Sequence, residues 1–573
     1  MKRLLPLLCL ALAACSSASD SGSDDGGVDL HVRALDNRTA YIPPQCYTKT
    51  SDSSGGAVAN PCYVCHATAR GPNMQSQPEL QLSYALPQVQ GGHGVMNPWT
   101  NLFVDRHAAI GAISDEQIRH WVASDNYHSA DGGIAPAARL AALPKNWDVN
   151  NNGRWDGYTP DAAFNFDAQG YDIRADGRET GWRAYAYYPF PGAFMPTNGA
   201  FDDVLIRLPA AFREREDGSP DRGVYTVNLA IVQALLLQRD VAIDSVDEQA
   251  LGVDLDHDGK LAQASRIVYD WAPTQGRNMS YVGLAGKQQQ AGQVHLAGGL
   301  LPEGTEFLHS VRYLETDAEQ QVRAAPRMKE LRYARKKLWL SYSDLQNQAL
   351  LEAKEDALNP DRATLVYGDA ETGVDSTIGW VYQGFIEDRS GQLRPQTYEE
   401  SVYCIGCHSR LSATADGNFS MPRKRDAGPA RGWYRWSGAD TTAIADPLRS
   451  DGQPEYASYL RAALAGDEFR ANDEVRQRFF NADGSANTAA FAQLSTDLST
   501  LLIPSTERAL LLDKAYRVLV SEQSFTRGRD ALPAPPATVW QEIEPDHATG
   551  IIQPLQAPPL AGDAASAVVR AAR

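Results

Sequence analysis

Long apolar runs are scarce in this chain. Past an opening stretch from Leu4 to Leu12, no segment nears the ~18 unbroken apolar residues that a transmembrane helix requires, so a membrane-spanning body is excluded. Positive charge is also short: 53 Lys and Arg stand against 71 Asp and Glu, a net charge of −18. A chain this acidic repels phosphates, which excludes nucleic acid as a partner. Such a surface is ordinary for an exported protein, and it could also steer a basic redox partner. Cysteine is sparse, with 7 residues in 573, and no internal repeat exists beyond two short cysteine motifs and two acidic loops.

Cys404-Ile405-Gly406-Cys407-His408 and Cys62-Tyr63-Val64-Cys65-His66 both read C-x-x-C-H, the attachment signature of a c-type haem. Two thiols add to the two vinyl groups of one porphyrin, while the imidazole of the next residue turns under the ring to hold the iron. With 7 cysteines and 11 histidines, random placement yields on the order of 0.002 such motifs, so two are no accident. A redox dithiol or a zinc-binding pair of C-x-x-C units leaves the repeated histidine unexplained. Thr397 with Glu400 makes a capping box and predicts a helix that carries Cys404 and Cys407 on one face, with His408 beside them. Asn60 and Pro61 are good N-cap and N1 residues ahead of Cys62.

Lys2 and Arg3, the apolar run and Leu12-Ala13-Ala14-Cys15 resemble a bacterial lipoprotein signal peptide with its lipobox, residues 1–15. The resemblance implies cleavage before Cys15 and lipid on its thiol, which tethers the protein to a membrane without spanning it. Ser16 in place of Asp implies the outer membrane, with the protein facing the periplasm or the cell surface. A plain secretory signal is the alternative. Export suits the motifs, because covalent haem attachment to bacterial cytochromes takes place outside the cytoplasm. Residues 16–29 are rich in Ser, Gly and Asp and read as a flexible linker. Cys9 leaves with the signal, Cys15 takes lipid and four thiols take haem, so Cys46 is left alone and an internal disulfide is excluded. A buried spectator thiol is favoured for Cys46 over a thiolate iron ligand or an intermolecular bridge.

Residues 30–147 read as a loop-rich N-terminal haem segment with short helices, one opened by a capping box at Ser114 and Gln117. His93, His107, His120, His128, Met74 and Met96 are all candidates for the sixth position on the first iron, and spacing does not choose among them. Residues 148–325 read as a β-rich middle domain, with strands expected at Trp182–Tyr188, Val204–Leu208, Val224–Val227, Arg266–Trp271 and Glu306–Leu314. Phe307, His309, Val311 and Tyr313 alternate onto one strand face. There His309 is either a hydrogen-bonded core residue or a distal iron ligand reaching across domains.

Two acidic loops fall in the same stretch. Asp148 to Asp156 and Asp254-Leu255-Asp256-His257-Asp258-Gly259 match the front of an EF-hand calcium loop, whose crowded carboxylates a cation relieves. Thr159 and Ser265 stand where that family carries its bidentate Glu, so a structural calcium at Asp254, Asp256 and Asp258 needs another carboxylate; solvated Asx-turns are the alternative.

Residues 326–525 read as a helical C-terminal haem domain, with Met328–Ala357 helical in composition, a hairpin from Gly379 through Ser390-Gly391, and four later helices. Residues 526–573 form a Pro/Ala-rich tail expected to be extended or disordered. Met421-Pro422 resembles the Met-Pro of small class I cytochromes c, which makes Met421 a second distal candidate beside His309, another residue or an open site. Arg423, Lys424 and Arg425 are a solvated basic run or propionate partners.

The pentapeptides and the leader together resemble dihaem c-type cytochromes. That resemblance implies an α+β multidomain protein whose haem segments flank a β-rich middle and which ends in a cytochrome-like helical domain. It implies two haem c groups on Cys62, Cys65, Cys404 and Cys407, with His66 and His408 as proximal iron ligands. It also implies electron transfer at the cell envelope with other cytochromes as redox partners. Two further readings stay open: a peroxidase- or oxygenase-like dihaem enzyme with one open iron site, and a binding module built on the aromatic-rich β-domain.

Overall fold

Strands rich in aromatic and β-branched residues gather into one nine-stranded antiparallel sheet. The computed structural model describes residues 27–52, 58–89, 95–192, 196–438, 442, 444–464, 470 and 472–561. Cys15, the linker up to residue 26 and His93 lie outside them. The strands are β1 (Tyr171–Ile173), β2 (Glu179–Tyr185), β3 (Phe201–Arg207), β4 (Glu306–Thr316), β5 (Val322–Lys336), β6 (Tyr367–Asp369), β7 (Gly373–Asp375), β8 (Trp380–Glu387) and β9 (Leu393–Pro395). Their order is β6-β7-β8-β5-β4-β3-β2-β1, with β9 paired to β8. Across the middle of the sheet Val204, His309, Arg332 and Gly384 stand in register, so His309 and Arg332 are cross-strand neighbours.

The fold is α+β, but its division differs from the expected one. The boundary drawn between residues 325 and 326 falls inside β5, so the sheet draws on both sides of it. Helix-forming composition misled the reading of Met328 to Lys336. Lys329 and Glu330 are buried on this central strand and Arg332 is half-buried, and they find one another and other charged partners. The expected helix starts later, over Tyr342–Leu358, behind a capping box at Ser341. Val224–Val227 is not a strand: it belongs to the helix Arg222–Leu237, whose first turn Asp221 caps by accepting the Val224 N–H at 2.9 Å. That helix is apolar nearly all round because the core encloses it, and a helix without a polar face shows no helical period.

One continuous core joins the expected domains. It holds Tyr47 and Trp99 from the N-terminal segment, Val204 and Phe307 from the sheet, the enclosed helix, and Val402, Cys404 and Ile405 of the second motif. A separate helical cluster follows, built on Tyr456, Leu460, Val475, Phe479 and Leu494. No discrete cytochrome-like domain stands apart at the C-terminus. The tail packs rather than floating: Ile543 and Val539 are buried, and Glu542–Ile543 pairs with Val95–Met96.

Candidate functional site

The two C-x-x-C-H segments lie side by side. The first forms a single turn, α1 (Cys62–Cys65), opened by Asn60, whose Oδ1 accepts the Cys62 N–H at 3.0 Å. The second ends α2 (Tyr398–His408), where Thr397 and Glu400 make the full capping box. Glu400 also takes a two-pronged ion pair from Arg394, both contacts at 2.8 Å, which fixes the first turn against the sheet. Residues just past each motif are then tied together. Ser412 Oγ accepts the Ala67 N–H at 2.8 Å and donates to the Cys65 carbonyl at 2.9 Å, across 347 positions of sequence. Gly406 lets α2 lie against the Tyr41–Pro43 segment: a Cβ there would stand 1.6 Å from the Tyr41 carbonyl oxygen. Cys46 sits at this junction, within electrostatic reach of Cys62, Cys65 and Cys407, and burial holds its thiol well above the ordinary range.

His408 is set up as a neutral base. Its Nδ1 donates to the Gly417 carbonyl at 2.9 Å, which leaves the Nε2 lone pair free, and Tyr382 and Phe419 flank the ring at 5.0 Å on either side. Burial pushes its pKa down to about 4. Gly417 has φ +68°, and a Cβ on it would press to 2.7 Å from the His408 carbonyl oxygen, so this turn requires glycine.

His408 and Cys404 line a cavity of about 40 Å³ walled by Phe307, Trp380, Tyr382 and Phe419, and His309 lines it too. The Nδ1 of His309 lies 3.2 and 3.3 Å from the two carboxylate oxygens of Asp202, which Tyr187 also bonds at 3.2 Å. Burial raises Asp202, but His309 and Arg332 more than offset it and hold the carboxylate below its ordinary range. Thus two imidazoles, each with Nδ1 engaged, line one aromatic cavity edged by a thiol. Met421 does not line it; the side chain is fully buried in the main core. Arg423 and Lys424 are not solvated: Arg423 pairs with Glu455 at 2.5 Å, and Lys424 is 4% exposed.

The first motif is enclosed differently. Tyr63 packs on Tyr459 and Ala463, with Leu555 and Ala557 of the tail against it. Gln81 donates to both the His66 carbonyl, at 2.8 Å, and the Leu555 carbonyl, at 2.9 Å. The buried Nδ1 of His66 has no hydrogen-bond partner. Of the distal candidates here, Met74 and Met96 are exposed, His107 begins an exposed turn and His128 is paired to Asp125 at 2.7 Å. Among the described residues none of these four, nor His120, is bonded to His66.

Spacing alone missed Glu248. Its oxygens and those of Asp254 and Asp256 all lie within 4.8 Å of one another, while Asp258 is not in the trio. Glu248, 1% exposed, accepts backbone N–H groups from Leu255 at 2.6 Å and Ala262 at 3.0 Å, so it closes the loop from outside as the missing final Glu would. At the other loop Glu371 bonds Val149 and Asp156 in the same manner, and Asn150 and Asn152 turn their amide N–H groups onto Asp156. That loop is closed by its own hydrogen bonds.

Fold and site together define an α+β protein that holds one thiol-imidazole segment against an antiparallel sheet and a second one tied beside it. Residues 30–500 match the model of a family described as a "-like lipoprotein", and the chain belongs to that lipoprotein family. A protein of Aquifex aeolicus (strain VF5) named "Uncharacterized lipoprotein" is 29% identical over 576 residues, covering 92% of this chain and 91% of its own. No solved structure matches. The membership corrects the resemblance to dihaem c-type cytochromes, and with it the assignment as an electron carrier or dihaem enzyme: both findings are described as lipoproteins, and neither as a cytochrome. It makes the protein a membrane-anchored protein of the cell envelope, and no helix among the described residues is long and apolar enough to cross a membrane.

Proposed function

We propose that this lipoprotein is a haem-binding protein of the cell envelope, anchored through Cys15 in the outer membrane. The observation that carries the reading is the aromatic cavity shared by His309, His408 and Cys404. The residues fit the group. The cavity offers apolar walls for a porphyrin, a neutral imidazole on His408, a second imidazole oriented by Asp202, and thiols on the adjoining helix. Cys404 and Cys407 would hold the vinyl groups, and His408 and His309 the iron. Cys62, Cys65 and His66 would hold a second group, whose imidazole has an idle Nδ1. Bound haem would supply an iron for these imidazoles to hold. The function proposed is binding, which the cavity supports without a redox partner.

The test is intact mass and visible absorption of full-length protein made in a host that attaches haem covalently. The expected result is a coloured protein heavier by two porphyrins, and heavier by one when Cys404 and Cys407 are both changed to Ser. His309→Ala should leave the mass unchanged while shifting the absorption bands. A colourless product at polypeptide mass removes the proposal.

We infer also that Glu248, Asp254 and Asp256 hold a structural calcium. A bound ion at 100 times its dissociation constant stabilises by about 2.7 kcal/mol. Calcium should therefore raise the melting temperature of the wild type and of Asp258→Asn, and leave Glu248→Gln unmoved. Equal response in all three proteins would exclude this site.

A further inference from the structure

A second and larger cavity, about 90 Å³, shares Arg332 with the first. It has room for several waters or one small molecule. Trp99 and Tyr403 give it apolar wall, but its lining also carries Lys329, Arg332, Arg470 and Arg529 against Asp202, Glu330 and Asp530. Each of these cations has a carboxylate in reach: Lys329 faces the buried Asp513, Arg332 and Arg529 share Glu330, and Arg470 pairs with Asp530.

Asn198 is the telling residue. It lines this cavity, is 8% exposed, and neither its Nδ2 nor its Oδ1 has a hydrogen-bond partner. The backbone around it is held firmly. Arg508 donates to the Thr197 carbonyl at 2.8 Å, and Lys329 Nζ donates to the Gly199 carbonyl at 2.6 Å. An amide placed by its neighbours yet left without partners carries a desolvation penalty that a bound ligand would remove. Arg529 repeats the pattern: its Nη atoms are engaged with Glu330 and with the Glu400 carbonyl, while the buried Nε is unpartnered.

We propose that this cavity binds a small organic carboxylate with a neighbouring hydroxyl or amine. The carboxylate takes the idle N–H groups of Arg529 and Asn198, and the hydroxyl or amine donates to Asn198 Oδ1. The site is independent of haem, since neither motif supplies these groups.

The experiment is isothermal titration of the full-length protein with lactate and alanine, with 1,2-propanediol and inorganic phosphate as controls, at constant ionic strength. Lactate or alanine should bind and the diol should not. Asn198→Asp, which keeps the shape and adds a negative charge, should weaken binding at least tenfold. Binding of phosphate alone, equal binding of the diol, or no heat from either acid would overturn the proposal, the last showing that solvent fills the cavity. The wild-type titrations decide the matter even where the variant fails to fold.

Discussion

Glu330→Gln is expected to destabilise the protein by about 3–5 kcal/mol, a loss of the size seen when one member of a buried ion cluster is removed. Glu330 is 2% exposed on β5 and takes both Arg332 contacts at 3.0 Å, a bond from Arg529, and one from Gln396 at 3.2 Å. The glutamine keeps the shape and leaves two guanidiniums in the interior without their shared counter-ion. Burial alone would raise this carboxyl, but Arg332 and Arg529 outweigh it and hold it below its ordinary 4.5. A carboxyl depressed in the folded state contributes stability that is full above about pH 4.5 and is lost as the pH falls through the lower, folded value. Denaturation should therefore show a wild-type advantage at pH 7 that narrows on acidification below pH 4.5. A double variant that also carries Arg529→Met should recover part of the loss. An unchanged midpoint for Glu330→Gln at pH 7 would contradict the cluster.

Gly406→Ala is the second large effect, and its sign is the informative part. Within a helix, alanine is favoured over glycine by about 1 kcal/mol, so local preference predicts a gain. The added Cβ, however, would meet the Tyr41 carbonyl oxygen at 1.6 Å and its carbon at 2.7 Å, and these are backbone atoms that cannot rotate away. Helix α2 and the Tyr41–Pro43 segment must separate, at a cost of about 3 kcal/mol, the upper end for overpacking. Gly111→Ala is the matched control, because a Cβ there meets nothing within 4 Å. Thermal melts should show a loss at 406 and none at 111, and limited proteolysis should find new cleavage near residue 41 in the first variant only.

Local signals were readable in the chain, and distant ones were not. The capping boxes at Ser114 and at Thr397 are three-residue hydrogen-bond patterns, and both helices begin where those residues place them. The alternation through His309 likewise survives as β4, because one strand face is enough to set a period of two. By contrast, β5 was hidden by its charges, which find distant partners in Glu387, Asp416, Asp513 and Arg529. The enclosed helix Arg222–Leu237 was hidden by having no polar face. Glu248 and Glu371 close their loops from outside, so no spacing within a loop could name them. Asp202, which turns His309, is 107 positions away from it, and the seat of α2 on the Tyr41–Pro43 segment depends on Gly406 having no side chain.

The end of the chain lies on its beginning. Thr538 accepts the Lys49 N–H at 2.7 Å, Trp540 donates to the Tyr47 carbonyl at 2.9 Å, and Leu555 is latched to Gln81 beside His66. A ribosome delivers residue 555 almost 500 positions after residue 62, so Cys62 and Cys65 stay uncovered while nearly the whole polypeptide is made and exported. Any chemistry at those two thiols has that interval in which to occur, and the closing tail then seals the result.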